Sequence, residues 1–142
     1  MTLKDTLFRA GTTVHRGIFA ASNGKVAGRG MGMPMLALTT TGRTTGKPRE
    51  TMLSTPLVIG DTVILVASFG GDDREPSWCR NIRANPAVQI VLEGKKRAMT
   101  ARVADASERA ELWPKITSAH ANYAGYQRKT DREIPVVILD PA

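Results

Sequence analysis

The apolar and polar positions divide the chain into a helical start and a β-rich remainder. Leu3, Leu7, Ala10, Val14 and Ile18 recur at helical spacing, with Lys4, Asp5, Arg9 and Arg16 elsewhere around the cylinder. That stripe predicts an amphipathic α-helix over residues 3–20, with Thr2 as a cap and Ser22-Asn23-Gly24 as its stop. Such a helix packs on the domain, covers a substrate pocket or touches a membrane surface. Residues 24–34 (GKVAGRGMGMP) are Gly-rich without a GxGxxG pattern and are expected to be a linker. The expected division is therefore 1–34, helix and linker, and 35–142, one folded domain.

From Leu36 the periodicity becomes that of strands. A β-branched run, Leu36 to Thr41, meets Gly42-Arg43-Thr44-Thr45-Gly46-Lys47-Pro48-Arg49, and a second extended run, Glu50 to Val58, leaves it. Gly at both ends of the turn and Pro near its exit predict a hairpin, because Gly accepts positive φ and Pro fixes φ. Thr62 to Ser68 reads as a buried strand, and 69–76 as a polar loop. Pro76 opens a short helix carrying Trp78, Cys79 and Ile82, which Asn85-Pro86 ends. Ala87–Glu93 and Arg97–Ala104 form a second hairpin joined at Gly94-Lys95-Lys96. A helix follows to about Ala121, opened by the capping-box pair Asp105 and Glu108, with Pro114 marking a start or bend within it. Asn122–Thr130 reads as another short helix and Ile134–Leu139 as a closing strand. Hairpins dominate, and the strand–helix alternation of a doubly wound sheet is missing. The fold expected is mainly antiparallel β, a small barrel of about six strands flanked by helices.

Charge and composition narrow the chemistry. The net charge is +7, which favours anionic partners, yet the basic residues are scattered rather than gathered in one tract. With no nucleic-acid-binding aromatic motif, nucleic acid is not an expected partner. Cys79 is the lone cysteine and the two histidines, His15 and His120, are far apart, so neither an intrachain disulfide nor a metal site is expected. No apolar run reaches membrane-spanning length and no signal-peptide pattern opens the chain, so a cytoplasmic setting is expected. By itself the turn at Arg43, Lys47 and Arg49 reads first as a solvated hairpin tip, with a cradle for an anion as the alternative.

Several separated motifs in order decide more than any one of them. They are Thr40-Thr41-Gly42-Arg43-Thr44-Thr45-Gly46-Lys47-Pro48-Arg49, Val66-Ala67-Ser68-Phe69-Gly70-Gly71 and Pro76-Ser77-Trp78-Cys79-Arg80-Asn81-Ile82-Arg83. Leu112-Trp113-Pro114, Tyr123-Ala124-Gly125-Tyr126-Gln127 and Asp131-Arg132-Glu133-Ile134-Pro135-Val136-Val137 follow. Together the chain resembles the deazaflavin-dependent nitroreductase-like family of split β-barrel oxidoreductases over roughly Leu36 to Pro141.

The resemblance implies binding of reduced coenzyme F420, with FMN as the alternative, and hydride transfer to a small hydrophobic acceptor such as a quinone, nitroaromatic or activated alkene. It assigns Arg43, Thr44 and Arg49 to the phosphate side of the coenzyme, followed by Thr51, Ala67, Ser68, Phe69 and Gly70. Ser77, Trp78, Cys79, Arg80 and Asn81 complete the coenzyme set. Ser68, Tyr123, Tyr126 and His120 are its candidates for positioning and protonating the acceptor. Thr44 and Phe69 stand where many members carry Lys, and His120 where Tyr is frequent, leaving Arg43, Lys47, Arg49 and Arg80 as the cations near the anion. A non-catalytic ligand binder is the alternative outside enzymes. An exposed barrel edge allows a homodimer, and the amino-terminal helix a peripheral membrane contact.

Overall fold

A computed structural model describes residues 29–30 and 33–142. The expected amino-terminal helix and most of the linker lie outside the described residues. The described elements are β1 (Arg29–Gly30), β2 (Met33–Thr41), β3 (Pro48–Ser54), β4 (Leu57–Ile59) and β5 (Thr62–Val66). A 3-10 turn at Phe69–Gly71 precedes α1 (Ser77–Ala84), β6 (Ala87–Leu92) and β7 (Lys95–Val103). Then come α2 (Ala106–Ala119), α3 (Asn122–Arg128) and β8 (Val136–Pro141).

All pairings are antiparallel. β2 lies between β3 and β6, and the sheet continues through β7, β8 and β5 to β4, with β1 pairing the start of β2. This is a split barrel. The expected single run from Glu50 to Val58 is broken at Thr55-Pro56 into β3 and β4. Pro56 has no N–H for a ladder, and Thr55 uses the break to join the sheet's two ends. Its N–H donates to Pro34 O on β2 at 2.9 Å, and its Oγ1 donates to Ile64 O on β5 at 2.7 Å. Thr55 is wholly buried, so these bonds are made without competition from water.

The apolar runs TVILV and VVIL are continuous rather than alternating because β5 and β8 are covered on both faces. Val63, Leu65, Val137 and Leu139 point into the barrel with Leu36, Leu38, Ile90 and Met99, and α1 closes this core with Trp78, Cys79 and Ile82. Ile64, Val66, Val136 and Ile138 face the other way, where Ile116 of α2 and Tyr123 of α3 cover them.

Boundaries differ from expectation where local chemistry decides them. The second hairpin turns at Glu93-Gly94, one residue earlier than expected, with φ of 51° and 78°. Positive φ at both central residues suits the right-handed twist of the flanking strands. The segment after β5, expected to be an irregular loop, winds into the 3-10 turn at Phe69–Gly71. Asp105 and Glu108 form the reciprocal capping box, but α2 runs through Pro114 as one element instead of starting there. Among the described residues no helix is long and apolar enough to cross a membrane.

Candidate active site

The Gly-flanked turn between β2 and β3 is closed by its own backbone: Gly42 N–H donates to Lys47 O and Gly46 N–H to Gly42 O, each at 2.8 Å. Gly46 stands at φ +71°, the conformation its missing Cβ permits. This turn leans over α1, and one buried side chain fastens the two. Asn81 Oδ1 accepts from Arg43 N–H at 3.1 Å and from Arg43 Nη1 at 2.9 Å, while Asn81 Nδ2 donates to Thr40 Oγ1 at 3.0 Å. A buried amide with both ends satisfied fixes turn, strand and helix relative to one another.

Between these elements lies a cavity of about 540 Å3. The turn contributes Gly42, Arg43, Thr44 and Thr45, with Thr40 just before it. β3 contributes Arg49, Glu50, Thr51 and Leu53. Val66 comes from the end of β5, Ser68 and Phe69 from the segment just after it, and Pro76, Ser77, Trp78 and Asn81 from the start of α1. Arg43 and Arg49 are exposed at the mouth, whereas Trp78 and Val66 are buried and Leu53 is half-buried. The volume is that of sites which take cofactor-sized molecules. Cations at the mouth and an apolar wall deeper in suit a planar ring carrying an anionic tail.

Nine of the expected coenzyme residues therefore meet on one surface: Arg43, Thr44, Arg49, Thr51, Ser68 and Phe69, then Ser77, Trp78 and Asn81. Trp78 is both core anchor and cavity wall. Ala67, Gly70, Cys79 and Arg80 are neighbours in sequence but are not on the lining. Ala67 and Cys79 are buried behind it, and Arg80 points to solvent on α1. Lys47 is absent from the lining too, so the cations that reach the cavity are Arg43 and Arg49. Burial pushes the Cys79 thiol up to about 12, assisted by the neighbouring Glu75 charge. A thiol so held is not a nucleophile. Glu75 is half-buried, which opposes ionisation, but the hydrogen bonds and charge of Arg83 prevail and hold its carboxyl below the ordinary range.

Tyr123, Tyr126 and His120 do not line the cavity. Tyr123 is buried in the core under α3, its ring edge-on to Tyr126 at 5.9 Å and its hydroxyl directed at Met33 Sδ, 3.5 Å away. Burial, and then the neighbouring Tyr126, push the Tyr123 hydroxyl up to about 12. His120 is the residue that ends α2. The lining also includes Thr40, Thr45, Glu50, Leu53, Val66 and Pro76, none of them among the expected coenzyme residues. Strand alternation carries a usable signal for Leu53, which shares a face of β3 with Thr51.

The family described as F420H(2)-dependent quinone reductase matches residues 12–141. This chain belongs to that family. Membership makes it an oxidoreductase whose cofactor is coenzyme F420. A Mycobacterium tuberculosis F420H(2)-dependent quinone reductase is 41% identical over 130 residues, covering 89% of this chain and 87% of that protein. A solved F420-H2 dependent reductase, FDR-A, is 41% identical with a TM-score of 0.67, covering 75% of this chain and 94% of that one. Another solved structure, described as a domain-swapped dimer, is also 41% identical, with a TM-score of 0.68 and coverage of 75% and 80%.

Proposed function

We propose that this oxidoreductase binds F420H2 in the cavity between the β2–β3 turn, the end of β5 and α1, and reduces a quinone there. The observation that carries the reading is the convergence of Arg43 and Arg49 at the mouth with Trp78, Val66 and Ser68 on the inner wall. The bound coenzyme supplies the hydride, so the protein needs no nucleophile or metal of its own. Arg43 and Arg49 hold the anionic side, and Arg43 is pre-set for this by its bonds to Asn81. Trp78, Val66 and Leu53 give the ring an apolar wall that keeps water from the reacting face. Ser68 is buried, at 9% exposure, at the strand end on the cavity lining. Its hydroxyl donates to the oxygen on which negative charge develops as the acceptor is reduced. Tyr126 acts through packing, its ring edge-on to Tyr123 against the core beneath α3. Nitroaromatics and activated alkenes develop the same kind of charge and belong to the proposed acceptor range.

The test is a fluorescence titration of the protein with F420 and, separately, with FMN, followed by addition of menadione to the reduced complex. Tight F420 binding and menadione-dependent reoxidation are expected. Ser68→Ala should lower turnover about 100-fold, in line with loss of one positioned donor, with little change in coenzyme affinity. Binding of FMN alone would move the reading to a flavin enzyme of the same fold, and F420 binding without turnover to a non-catalytic binder.

The sheet edge at β4 exposes Val58 and Ile59, at 42% and 50%. Together with the dimer described for one relative, this supports self-association of the chain. Its mass in solution, measured by light scattering, should be that of two copies.

A further inference from the structure

The cavity-lining end of β5 is an improbable piece of backbone. Phe69, Gly70 and Gly71 stand at φ of 46°, 63° and 85°, three consecutive left-handed residues. Gly tolerates this; Phe does so only under strain and persists only where its surroundings over-determine it. The Arg74 guanidinium lies over the Phe69 ring, 5.5 Å from its centroid, and the backbone on either side of the turn is held by Arg132, a residue of the loop before β8, far away in sequence. Arg132 Nε donates to Asp72 O at 2.9 Å, and Nη2 donates to Ser68 O at 3.0 Å and Ala67 O at 3.2 Å. One planar fork thus collects carbonyls from both ends of the turn that presents Ser68 and Phe69 to the cavity.

Arg132 is itself held from behind. Gln127 Nε2 donates to Arg132 O at 2.7 Å, and Gln127 Oε1 accepts from Arg109 Nη2 at 3.2 Å and from Ile134 N–H at 2.9 Å. Thr130 Oγ1 adds a bond to Asp73 Oδ1 at 2.8 Å. The acceptors of the guanidinium are all neutral carbonyls. Among the described residues no carboxylate lies within ion-pair distance of it, and Nη1 is buried without a protein acceptor. A half-buried cation with no carboxylate in contact, its charge felt only at a distance by Glu75, is a costly way to secure a loop. A fold that needed only packing there would be better served by an apolar side chain. The arrangement instead serves geometry, since a planar fork fixes direction as well as distance.

We propose that Arg132 is a positioning residue for the reaction: it holds the Phe69–Gly71 turn in its left-handed conformation, and with it Ser68, against the bound coenzyme, with Arg109 and Gln127 as its anchor. This rests on the reading of the cavity as the F420H2 site. A Lys at this position would keep the charge but reach one carbonyl in place of three. Arg132→Met would keep the bulk and lose every bond.

The experiment compares the full-length wild type with Arg132→Met, Arg132→Lys and a core control, Ile116→Val, in three measurements. Amide hydrogen exchange over residues 67–72 reads the brace without the coenzyme. Exchange there should accelerate at least ~10-fold in Arg132→Met while β6 and β7 are unchanged, because the lost bonds are charge-assisted. F420 affinity should weaken ~10-fold or more, and turnover of menadione should fall further. Added guanidinium ion should restore part of both, a rescue that a merely destabilised fold would not show. Ile116→Val should lower the melting temperature with kcat intact. Should Arg132→Met fail to fold, Arg132→Lys is read by the same measurements, with intermediate values expected. Exchange and affinity both within twofold of wild type in a folded variant would overturn the proposal. If the wild type binds no F420, the functional reading fails, whereas the exchange result still decides whether Arg132 braces the turn.

Discussion

Asn81 and Cys79 sit two positions apart on one helix and have opposite fates. Asn81 turns toward the cavity and spends every polar atom on Arg43 and Thr40. Asn81→Ala leaves the Arg43 N–H and a buried Thr40 hydroxyl unpaired, which should cost about 1–3 kcal/mol of stability. It should also weaken F420 binding, because Arg43 loses the bonds that aim it; chemical denaturation and a fluorescence titration measure the two. Cys79 turns inward. Its thiol in the folded chain lies near 12 rather than 9.0, and the Tyr123 hydroxyl near 12 rather than 10.0, both mainly through burial. Each group binds its proton more tightly when folded, so its contribution is complete below the unfolded value and is lost as pH rises toward 12. The melting temperature should therefore fall progressively above about pH 9. Ellman's reagent at pH 8 should leave Cys79 unmodified until denaturant is added.

At the scale of elements, α3 and the Phe69–Gly71 turn meet through Gly71. A Cβ there would lie 2.8 Å from Tyr126 O and 3.0 Å from the Lys129 side chain, at a φ of +85°. Gly71→Ala must both strain the turn and push α3 away, so a loss of about 2–4 kcal/mol is expected in urea unfolding. Exchange protection should be lost first in α3. None of this is legible from a Gly-Gly pair in a polar stretch, which announces a turn without saying what crowds it. The strands were more open to reading. The continuous apolar runs of β5 and β8 follow from cover on both faces, and the capping box at Asp105 and Glu108 stands in the sequence as it does in the fold. The break at Thr55-Pro56 was missed because β-branched residues on either side continue the strand pattern. Only the hydroxyl's bond to Ile64, across the sheet, shows why the chain stops there. The site divides in the same way. Ordered motifs identified the turn, strand end and helix that build the cavity. They did not show which neighbours face it, so Cys79 and Arg80 came along with Trp78 and Asn81. Tyr123 and Tyr126 announced hydroxyls, but contacts distant in sequence turn them into the core beneath α3.

Across the whole molecule the charge is uneven in its consequences. The excess of +7 is spread along the chain, yet the cations that reach the cavity are the two on its mouth, Arg43 and Arg49, with Glu50 beside them. If F420 binds in this cavity as proposed, a diffuse positive field draws the anionic coenzyme toward the surface from any side, and the mouth arginines act only over the last several ångströms. These contributions separate by ionic strength, because screening shortens to about 3 Å at 1 M salt from about 10 Å at 0.1 M. The association rate for F420 in stopped-flow fluorescence should drop about tenfold between 0.05 and 0.5 M NaCl. The dissociation rate should change far less, since contacts made at hydrogen-bond distance lie inside the screening length. Arg49→Gln should raise the dissociation rate while leaving most of the salt slope, because six of the seven net charges persist. Reversing exposed lysines on the β6–β7 hairpin, Lys95→Glu with Lys96→Glu, takes four units from the net charge and should flatten the slope with the dissociation rate unchanged. A slope abolished by Arg49→Gln alone would place the steering at the mouth rather than in the field of the whole molecule.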